Sequence, residues 1–514
     1  MPVLTGIDLL GVQRYVFASN RLRDAVAASW LVDRATAPDG ALAGLGGDPL
    51  MTAGGNAVIR FAHEHQAREF AGRYTRRLYA EAPGLEGVVV HRSYDDGELA
   101  QAIQRLQVDL ACSKLERVPH APQLGLSVNA ACRVTGLPAT GFDPHEPTTP
   151  LSPMVLRWRD NTLRCAAARR WDVFLNGDRF ALPPEIDDMG RTRGDTSLIG
   201  VVHIDGNQVG RQITAWLHAC TAESRSDHIV LDQLRSWSSA LDHAGRNTVR
   251  AIIERTSSAI REDDQREPWL HGLIPDLAFQ LRRLKGQTVL PVRPVLLGGD
   301  DLTFLCDGRI ALDLAEAALD AFSGDIPNLG RMTSCAGIAI VPAHTPFDRA
   351  YELAEGLCAT AKRRRHEQGD SGSWIDWHIG TPRPGESVEN LRVRAYAHAL
   401  DATKLTLTCR PYRLGAGVAE RETWRWLSLE TLGSGLEGFR GDRWRQHRSK
   451  LKELASVIRE GTDGVKRARE TWTVAGALTL PGGLDLEHGF IDAVRTPLLD
   501  AIELLDIHLP LSDG

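Results

Sequence analysis

The sequence predicts an α+β fold in which two ferredoxin-like βαββαβ units face each other and a helical domain follows. Two observations lead to this prediction. The order strand, helix, strand, strand, helix, strand occurs within residues 1–95 and recurs between about 198 and 378. From Pro382 onward strand-like segments become rare, and amphipathic helical spacing takes their place.

The first unit, residues 1–95, centres on a short hairpin. Gly54, Gly55 and Asn56 separate two short apolar segments, and glycines permit the positive φ angles that a tight turn needs. The predicted elements are strand Val3–Asp8, helix Arg21–Ala35, strands Met51–Ala53 and Ala57–Phe61, helix Glu64–Ala80 and strand Gly87–Arg92.

Residues 96–190 are interpreted as a connector between the two units, without a catalytic role. Its stretch 136–153 is rich in Pro, Thr and Gly and is predicted to be a loop. The other predicted elements are helix Glu98–Leu115 and strands Leu124–Val134 and Met154–Trp158.

The second unit, residues 191–381, repeats the order of the first and is larger because its first helix is long. Its central hairpin is Gly298-Gly299-Asp300-Asp301. The predicted elements are strand Leu198–Asp205, helix Asp227–Arg261, strands Val292–Leu297 and Leu302–Cys306, helix Arg309–Phe322, strand Cys335–Val341, helix Phe347–Arg365 and strand Ser373–His378.

Residues 382–514 form the predicted helical C-terminal domain. Leu498, Leu499, Ile502 and Leu505 have the spacing of a core-facing stripe, with a partner-binding helix as the alternative. The predicted helices are Trp424–Leu432, Arg443–Arg459, Asp463–Thr471 and Leu486–Leu505.

Composition restricts the class of protein without identifying it. The 514 residues carry a net charge of -6, so nucleic-acid binding would need a local basic patch. None of the 8 cysteines forms a CxxC pair, and Cys132 has no second cysteine nearby, so zinc is not expected. The N-terminus lacks a basic region followed by an apolar run, and no apolar stretch is long enough to span a bilayer. A cytoplasmic protein with reduced thiols is expected.

Three carboxylates are the candidate catalytic residues. Asp205 ends the first strand of the second unit, and Asp300 and Asp301 lie at the hairpin that this fold places beside that strand. Clustered carboxylates repel unless a cation compensates, and oxygen ligands favour Mg²⁺ or Mn²⁺. We therefore predict that Asp205, Asp300 and Asp301, with Gly206, hold two such ions for nucleotide chemistry. The alternative is an exposed hairpin with solvated acids.

Residues around the acids have the character of a phosphate-binding site. A small-residue turn that opens a helix presents backbone N–H groups to a triphosphate, and Lys362 near a later helix end can pair with phosphate or can simply be solvated. The predicted nucleotide-binding residues are Gly206, Asn207, Gln208, Gly210, Gly298, Gly299 and Lys362, with Gly54 and Gly55 on the facing unit.

The first unit is predicted to be catalytically inactive. Asn56 is interpreted as standing in place of the first acid of the second hairpin, and Asn is a poor metal ligand beside carboxylate. Its role is then to form the facing wall of one shared pocket. Gly54 and Gly55 would be small because a backbone or a base approaches them closely.

These motifs, in this order, resemble the large palm-domain polymerase/cyclase subunit of type III CRISPR complexes and its standalone relatives, over about residues 1–380. The matching blocks are Arg21-Leu22-Arg23-Asp24, Ala28-Ser29, His203-Ile204-Asp205-Gly206-Asn207, Leu297-Gly298-Gly299-Asp300-Asp301, Gly337-Ile338-Ala339-Ile340, Pro346 and Ala361-Lys362. The resemblance implies two facing palms and conversion of ATP, the substrate, into cyclic oligoadenylates in antiviral signalling. It implies metal binding by Asp205, Asp300 and Asp301. The HD nuclease of such subunits is not expected in this sequence.

A second hypothesis stays open beside the enzyme. The chain would then be a scaffold or RNA-activated subunit of a CRISPR-type effector complex, its palm only binding nucleotide. The feature that favours it is a basic stretch around Trp444, which would contact RNA phosphates and stack on a base; a solvated helix face is the plainer interpretation. The stretch comprises Arg440, Arg443, Arg445, Arg448, Lys450 and Lys452.

Overall fold

The computed structural model describes residues 1–117, 128–175, 177–189, 197–401, 403–415, 427–474 and 478–512. It confirms a mixed α+β protein with several sheets and a helical C-terminal region. Among the described helices, none combines the length and the apolar composition that crossing a membrane requires.

The first sheet contains four antiparallel strands in the order β2-β3-β1-β4. This order is the split arrangement that a βαββαβ unit produces, and every element predicted for residues 1–95 is present. The elements are β1 Val3–Leu10, α1 Val12–Val16, α2 Leu22–Thr36, β2 Asp48–Ala53, β3 Asn56–Phe61, α3 Glu64–Glu81 and β4 Glu86–Ser93.

The connector differs from the prediction in several elements. The segment predicted as strand Met154–Trp158 is a helix, because Pro153 suits the first helical turn and Met154, Val155 and Trp158 then share one buried face. Of predicted strand Leu124–Val134, residues 124–127 lie outside the described residues, and in 128–134 only a bridge at Ala131 forms. The elements are α4 Leu99–Glu116, β5 Gly141–Phe142, β6 Pro150–Leu151, α5 Pro153–Trp158, α6 Asn161–Ala168 and β7 Phe180–Ala181.

The long helix predicted over Asp227–Arg261 is present at Asp227–Ser258, and a further helix before it and several short strands after it were not predicted. A break at residues 223–226 separates two helices, and a run of short strands fills 260–289. The elements are β8 Leu198–Gly206, α7 Val209–Ala222, α8 Asp227–Ser258, β9 Ile260–Glu262, β10 Pro268–Leu270, β11 Phe279–Gln280, β12 Arg283–Leu284 and β13 Gln287–Val289.

The second large sheet has six strands in the order β14-β15-β8-β18-β19-β22. Its first four strands repeat the order of the first sheet, and β19 extends it in parallel to β18. The elements are β14 Val292–Gly298, β15 Asp301–Asp307, α9 Ala311–Phe322, β16 Gly324–Ile326, β17 Gly330–Met332, β18 Ser334–Pro342, α10 Phe347–Glu367 and β19 Trp374–Ile379.

The C-terminal region is mainly helical, but strands persist past Pro382. A hairpin and a short strand that joins the second sheet lie between residues 397 and 413, where none was predicted. Predicted helix Leu486–Leu505 is helical over Leu498–Leu505. The elements are α11 Val388–Tyr396, β20 Ala397–Leu400, β21 Thr403–Thr406, β22 Tyr412–Arg413, α12 Leu429–Arg440, α13 Asp442–Arg445, α14 Arg448–Val457, α15 Gly461–Val474 and α16 Leu498–Leu505.

The hairpins of the two large sheets touch each other. A Cβ atom added at Gly54 would lie 2.5 Å from the Cα of Gly298, and one added at Gly298 would lie 2.9 Å from the Cα of Gly54. Gly54 is therefore small because a backbone approaches it, as predicted. The sheets also share buried cores: Ile7 and Leu9 of β1 lie in one cluster with Val201 of β8 and Tyr351 of α10.

Candidate active site

Strand register brings two of the three predicted acids together. β8 and β15 are antiparallel, and Asp205 pairs directly with Asp301. Residues that pair across antiparallel strands project from the same face, so both carboxylates point toward the side of the sheet that α10 covers. The exposed fraction of these side chains is 40% for Asp205 and 39% for Asp301.

The hairpin turn brings the third acid to the same edge. Gly299 has a φ of 71°, which glycine adopts freely, and Asp300 follows it in the turn. The Gly206 N–H donates to the Asp300 carbonyl at 3.1 Å. A Cβ atom at Gly206 would lie 2.8 Å from Asp300 Oδ2, so a side chain at that position would displace this carboxylate.

Lys362 lies inside the acid cluster. Its ammonium forms an ion pair with Asp205 and donates to the Gly206 carbonyl at 2.9 Å. The predicted phosphate ligand thus contacts one of the three candidate catalytic acids. A triphosphate could compete for this ammonium, because phosphate is also a strong ion-pair acceptor.

The negative charge of the three acids is only partly neutralised by Lys362. Burial, Asp205 and Asp300 raise the pKa of Asp301 to about 8, with Lys362 opposing the shift. Burial and Asp205 also raise the pKa of Asp300. Asp301 Oδ1 is buried and has no hydrogen-bond partner. The cluster therefore has a deficit of positive charge.

His203 lies beneath the cluster on β8. Its Nδ1 is 3.3 Å from Asp301 Oδ1 and within hydrogen-bonding distance of Thr303 Oγ1, at 3.2 Å. Burial lowers the pKa of His203 to about 4, so the imidazole is neutral at pH 7 and does not supply the missing charge. It packs edge-on against Tyr351 of α10.

Sequence reasoning missed one acid near the site, Glu355. Burial and the charges of Asp205 and Glu352 raise its pKa, and Glu355 in turn raises the pKa of Asp301. Glu355 lies on α10 seven residues before Lys362, two turns away on the same helix face. This spacing was the signal that could have identified it.

The donor set suits a hard divalent cation, although it is not arranged as a closed cage. Within the described ranges, no group of three or more His, Cys, Asp or Glu side chains is placed to hold a metal. The reason at this site is local: the Lys362 ammonium occupies one side of Asp205. A cation would give the buried Oδ1 of Asp301 a partner. It would also lower the pKa values of Asp300 and Asp301, which are raised in its absence.

The turn after Asp205 has mixed roles. The Asn207 side chain is buried and donates to Thr333 Oγ1 at 2.9 Å while accepting from Cys335 Sγ at 3.3 Å, so it braces the turn. Gln208, with a φ of 64°, precedes α7 and is exposed, as is Gly210. The first N–H groups of α7 therefore face solvent on the side where Asp205 ends its strand.

The first sheet contains a counterpart of this site that the sequence did not reveal. Asp8 pairs with Asn56 as Asp205 pairs with Asp301. Asn56 thus corresponds to the second acid of the hairpin, and Gly55 to Asp300, which corrects the predicted equivalence with the first acid.

A lysine completes the correspondence between the sheets. Lys114 forms an ion pair with Asp8, as Lys362 does with Asp205. Each lysine is the sixteenth residue of its helix, counted from Leu99 in α4 and from Phe347 in α10. The first sheet has therefore kept one acid and the lysine, and lacks carboxylates at the other two positions.

A cavity of about 750 Å³ adjoins both hairpins. Gly54 and Gly299 line it, together with residues of α2, β2, α6 and α8. Trp30 and Trp171 supply aromatic surface, and Arg169 is an exposed lining residue. The volume lies in the range of small-molecule sites.

The basic stretch of the C-terminal region does not offer a stacking platform. Trp444 is 3% exposed, packs edge-on against Phe439 and Trp472, and donates to the Thr479 carbonyl at 3.0 Å. The predicted stacking of Trp444 on an RNA base is therefore wrong, because this side chain is core. Several of the basic groups are paired: Arg440 donates to the carbonyls of Leu505 and His508, Arg448 pairs with Asp506, and Lys450 pairs with Glu453.

Comparisons with known proteins agree with this architecture. Residues 198–369 match the family model described as Cas10/Cmr2, second palm domain. The Csm1-Csm4 cassette in complex with AMPPNP is similar with a TM-score of 0.52 and 14% identity, over 98% of this chain and 69% of that chain. The same cassette in complex with pppApA has a TM-score of 0.50 and 14% identity, again over 98% of this chain and 69% of that chain. For the Csm1-Csm4 cassette in complex with cA3 the TM-score is 0.39 and the identity is 15%. This match covers 72% of this chain and 54% of that chain. No curated protein matches the sequence.

The fold around the candidate site is that of a palm domain. Residues 198–369 form a second palm domain of the Cas10/Cmr2 kind. The predicted resemblance to the large palm-domain subunit of type III CRISPR complexes is confirmed, and at 14% identity the structural similarity concerns the fold.

Proposed function

We propose that the chain is a metal-dependent nucleotidyltransferase that converts ATP, or another nucleoside triphosphate, into a cyclic nucleotide or cyclic oligonucleotide that signals in antiviral defence. The observation that carries the proposal is the direct pairing of Asp205 with Asp301, with Asp300 and Lys362 at the same edge. Palm-fold structures similar to this chain hold AMPPNP and pppApA, which supports a nucleotide ligand here.

Asp205, Asp300 and Asp301, with Gly206, would hold the metal. Two Mg²⁺ or Mn²⁺ ions there would activate a ribose hydroxyl and neutralise the leaving pyrophosphate. In the transfer, the hydroxyl gives up its proton to solvent and its oxygen forms a bond to the α-phosphorus, while the bond from that phosphorus to pyrophosphate breaks. Lys362 would leave Asp205 and bind the triphosphate, and the exposed N–H groups at the start of α7 would add donors to it.

The facing sheet would hold the acceptor nucleotide. Joining two nucleotides requires a second surface that orients the attacking hydroxyl. The Gly54–Gly298 contact places the first hairpin against the catalytic one, and Lys114 beside Asp8 offers a phosphate ligand without a full set of metal ligands. The proposed domains are a first palm at residues 1–95, a connector at 96–190, a second palm at 191–381 and a helical domain at 382–514. We propose that the protein acts in the cytoplasm.

Incubation of the pure protein with labelled nucleoside triphosphates and Mn²⁺ tests the proposal. Asp300→Ala with Asp301→Ala should abolish product, since losing one preorganised electrostatic stabiliser costs on the order of 10²-fold or more and here two are lost. Asp264→Ala is the matched control, because Asp264 is exposed in the loop between β9 and β10. Undiminished turnover in a folded double variant would refute the assignment of these acids.

The subunit hypothesis is the second candidate, and one observation favours it. Both similar palm structures are cassettes of Csm1 with a partner, Csm4. We propose that, in this case, other effector subunits or RNA bind the chain through its C-terminal helices. Product that forms only after RNA or a partner is added would identify a complex subunit, whereas product from the chain alone would identify an autonomous enzyme.

A further inference from the structure

A second large cavity lies away from the carboxylates, between the connector and both sheets. Its volume is about 900 Å³, and its walls come from α2, from residues 161–184 and from the turn between β12 and β13. None of the acids or the lysine of the candidate active site lines it. Its size is that of a small-molecule site.

A buried arginine with an incomplete set of partners lines this cavity. Arg293 of β14 is 3% exposed, and its Nε has no hydrogen-bond partner. Its described hydrogen bond runs from Nη2 to the Ala168 carbonyl at 3.3 Å. A buried guanidinium that lacks an acceptor is costly, so this group is poised to bind an anion.

Two further basic side chains that line this cavity form no ion pair with a described residue. Arg169 of α6's C-terminal end and Lys285 in the β12–β13 turn are exposed, and neither side chain has an ion pair among the described residues. The other lining arginines are paired, Arg23 with Glu185 and Arg164 with Asp24.

Two acids also line the cavity, and neither neutralises these cations by contact. Asp172 is the acid whose charge acts on Arg293, but the two side chains form no ion pair in the described structure. Asp178, like Asp172, is exposed. Space therefore remains beside Arg293 and Arg169 for the oxygens of a ligand.

Part of the remaining wall is apolar, although His145, Asn161 and Gln287 also line the cavity. Leu175, Phe180 and Leu182 line it, followed by Pro183 and Pro184. A ligand that fills the cavity would thus place a hydrophobic body against these side chains and an oxyanion against the arginines.

We propose that this cavity binds a small organic oxyanion, a phosphate or a carboxylate on an apolar body, held by Arg293 and Arg169. Guanidinium groups match both oxyanions through paired N–H donors. Arg169 also lines the cavity that adjoins both hairpins, so a ligand here contacts a side chain that the two cavities share.

Cysteine alkylation provides a test that does not depend on catalysis. Cys165 is exposed and lines the cavity, whereas Cys112, also exposed, lies on α4 and serves as the internal control; the other six cysteines are buried. Phenyl phosphate or benzoate should slow the reaction of Cys165 with iodoacetamide and leave that of Cys112 unchanged, as read by peptide mass spectrometry.

The arginine variants decide whether the proposed residues hold the ligand. Arg169→Gln and Arg293→Met should each raise the concentration needed for protection by roughly 10- to 100-fold, the factor that loss of a charge-assisted hydrogen bond implies. Arg105→Gln, at an exposed position of α4, is the matched control and should change nothing. If Arg293→Met does not fold, Arg169→Gln carries the test.

Two results would overturn the proposal. One is that neither organic anion alters the ratio of Cys165 to Cys112 alkylation in the wild type. The other is protection that persists unchanged in a folded Arg169→Gln protein. Protection by inorganic phosphate as strong as that by phenyl phosphate would refute the apolar half of the site.

Discussion

At the residue scale, the two ion pairs between a strand-end aspartate and a helix lysine are the most informative contacts. Asp205–Lys362 and Asp8–Lys114 occupy matching places in the two sheets, yet the acids around them differ. Asp205 has Asp301 opposite and Asp300 nearby, whereas Asp8 has Asn56 opposite. Because of this difference in negative charge, the site around Asp205 is suited to metal and phosphate, whereas the site around Asp8 is suited to phosphate alone.

Replacing the two lysines should have separable effects. Lys362→Met should lower kcat by roughly 10²-fold, because this ammonium would bind the reacting triphosphate. Lys114→Met should mainly raise the KM for the acceptor nucleotide, because Lys114 pairs with Asp8 on the first sheet, which lacks the full set of acids. Steady-state rates with labelled nucleotide distinguish the two, with Lys404→Met, an exposed lysine of β21, as the control. Identical effects of the two variants would contradict the assignment of different roles.

The raised pKa of Asp301 predicts a pH dependence of stability in the metal-free protein. Because its folded pKa of about 8 lies above its ordinary value of 3.8, the folded state binds more protons than the unfolded state between these values. The free energy of unfolding should therefore fall as the pH rises from about 4 to about 8.

Thermal unfolding in chelator across this pH range measures the effect. Asp301→Asn should flatten the curve, since an amide does not titrate, and Mn²⁺ should restore stability at the alkaline end of the wild-type curve. A wild-type curve that rises steadily from pH 4 to pH 8 would be inconsistent with a raised pKa of Asp301.

At the element scale, the hairpins matter more than the helices, because they join the sheets. Gly54 combines a φ of 52° with a backbone neighbour that a Cβ would meet at 2.5 Å. Gly298 has the reciprocal contact. Neither backbone can retreat easily, since each hairpin is held by its own strand pairing.

Gly54→Ala should destabilise the protein by roughly 1–3 kcal/mol through overpacking and backbone strain. It should also reduce turnover, because the hairpin carrying Asp300 would shift. Gly72→Ala is the matched control: Gly72 lies in α3 with nothing within 4 Å of an added Cβ, and alanine favours a helix. Chemical denaturation and the product assay measure the two effects, and equal stability of both variants would argue against the hairpin contact.

At the scale of the whole molecule, a buried ionic network ties the C-terminal helix to the second sheet. Asp500 of α16 accepts from Thr408 Oγ1, the Cys409 N–H and Tyr412 Oη, at 2.7, 2.7 and 2.8 Å. Arg410, also completely buried, pairs with Asp500 at 2.8 Å. The helical region is therefore fastened to the edge of the second sheet by strand β22 and the segment before it.

Asp500→Ala should destabilise the fold by about 3–5 kcal/mol, because it breaks the buried ion pair with Arg410, which keeps only Glu503, and removes the acceptor of three buried hydrogen bonds. Asp506→Ala is the matched control, since Asp506 is 81% exposed where it pairs with Arg448, and a surface pair contributes at most about 1 kcal/mol. Denaturant unfolding of both variants checks the difference. A cost below about 1 kcal/mol for Asp500→Ala would mean that the network does not hold the region in place.

The sequence by itself determined the repeated βαββα order, the hairpin positions and the identity of the three acids, because these depend on local periodicity, on turn glycines and on strand ends. It misassigned the segment after Pro153, where a short apolar run suits either a helix or a strand. It also treated Trp444 as exposed, since burial of an aromatic among charged neighbours depends on the fold.

Only the tertiary structure decided which side chains meet across long separations. The pairing of Asp8 with Asn56 and Lys114, and the approach of Glu355 to the acid cluster, join segments that no local pattern connects. The same holds for the hydrogen bond of Arg293 to the Ala168 carbonyl, which leaves its Nε without a partner. Strand register sets the Asp8–Asn56 pairing, and a shift of one residue would turn these side chains to the opposite face. Lys114 and Glu355 reach the strand ends from helices that pack on the sheets. Local periodicity specifies which face a residue occupies, but the partner on that face is chosen by packing between distant elements.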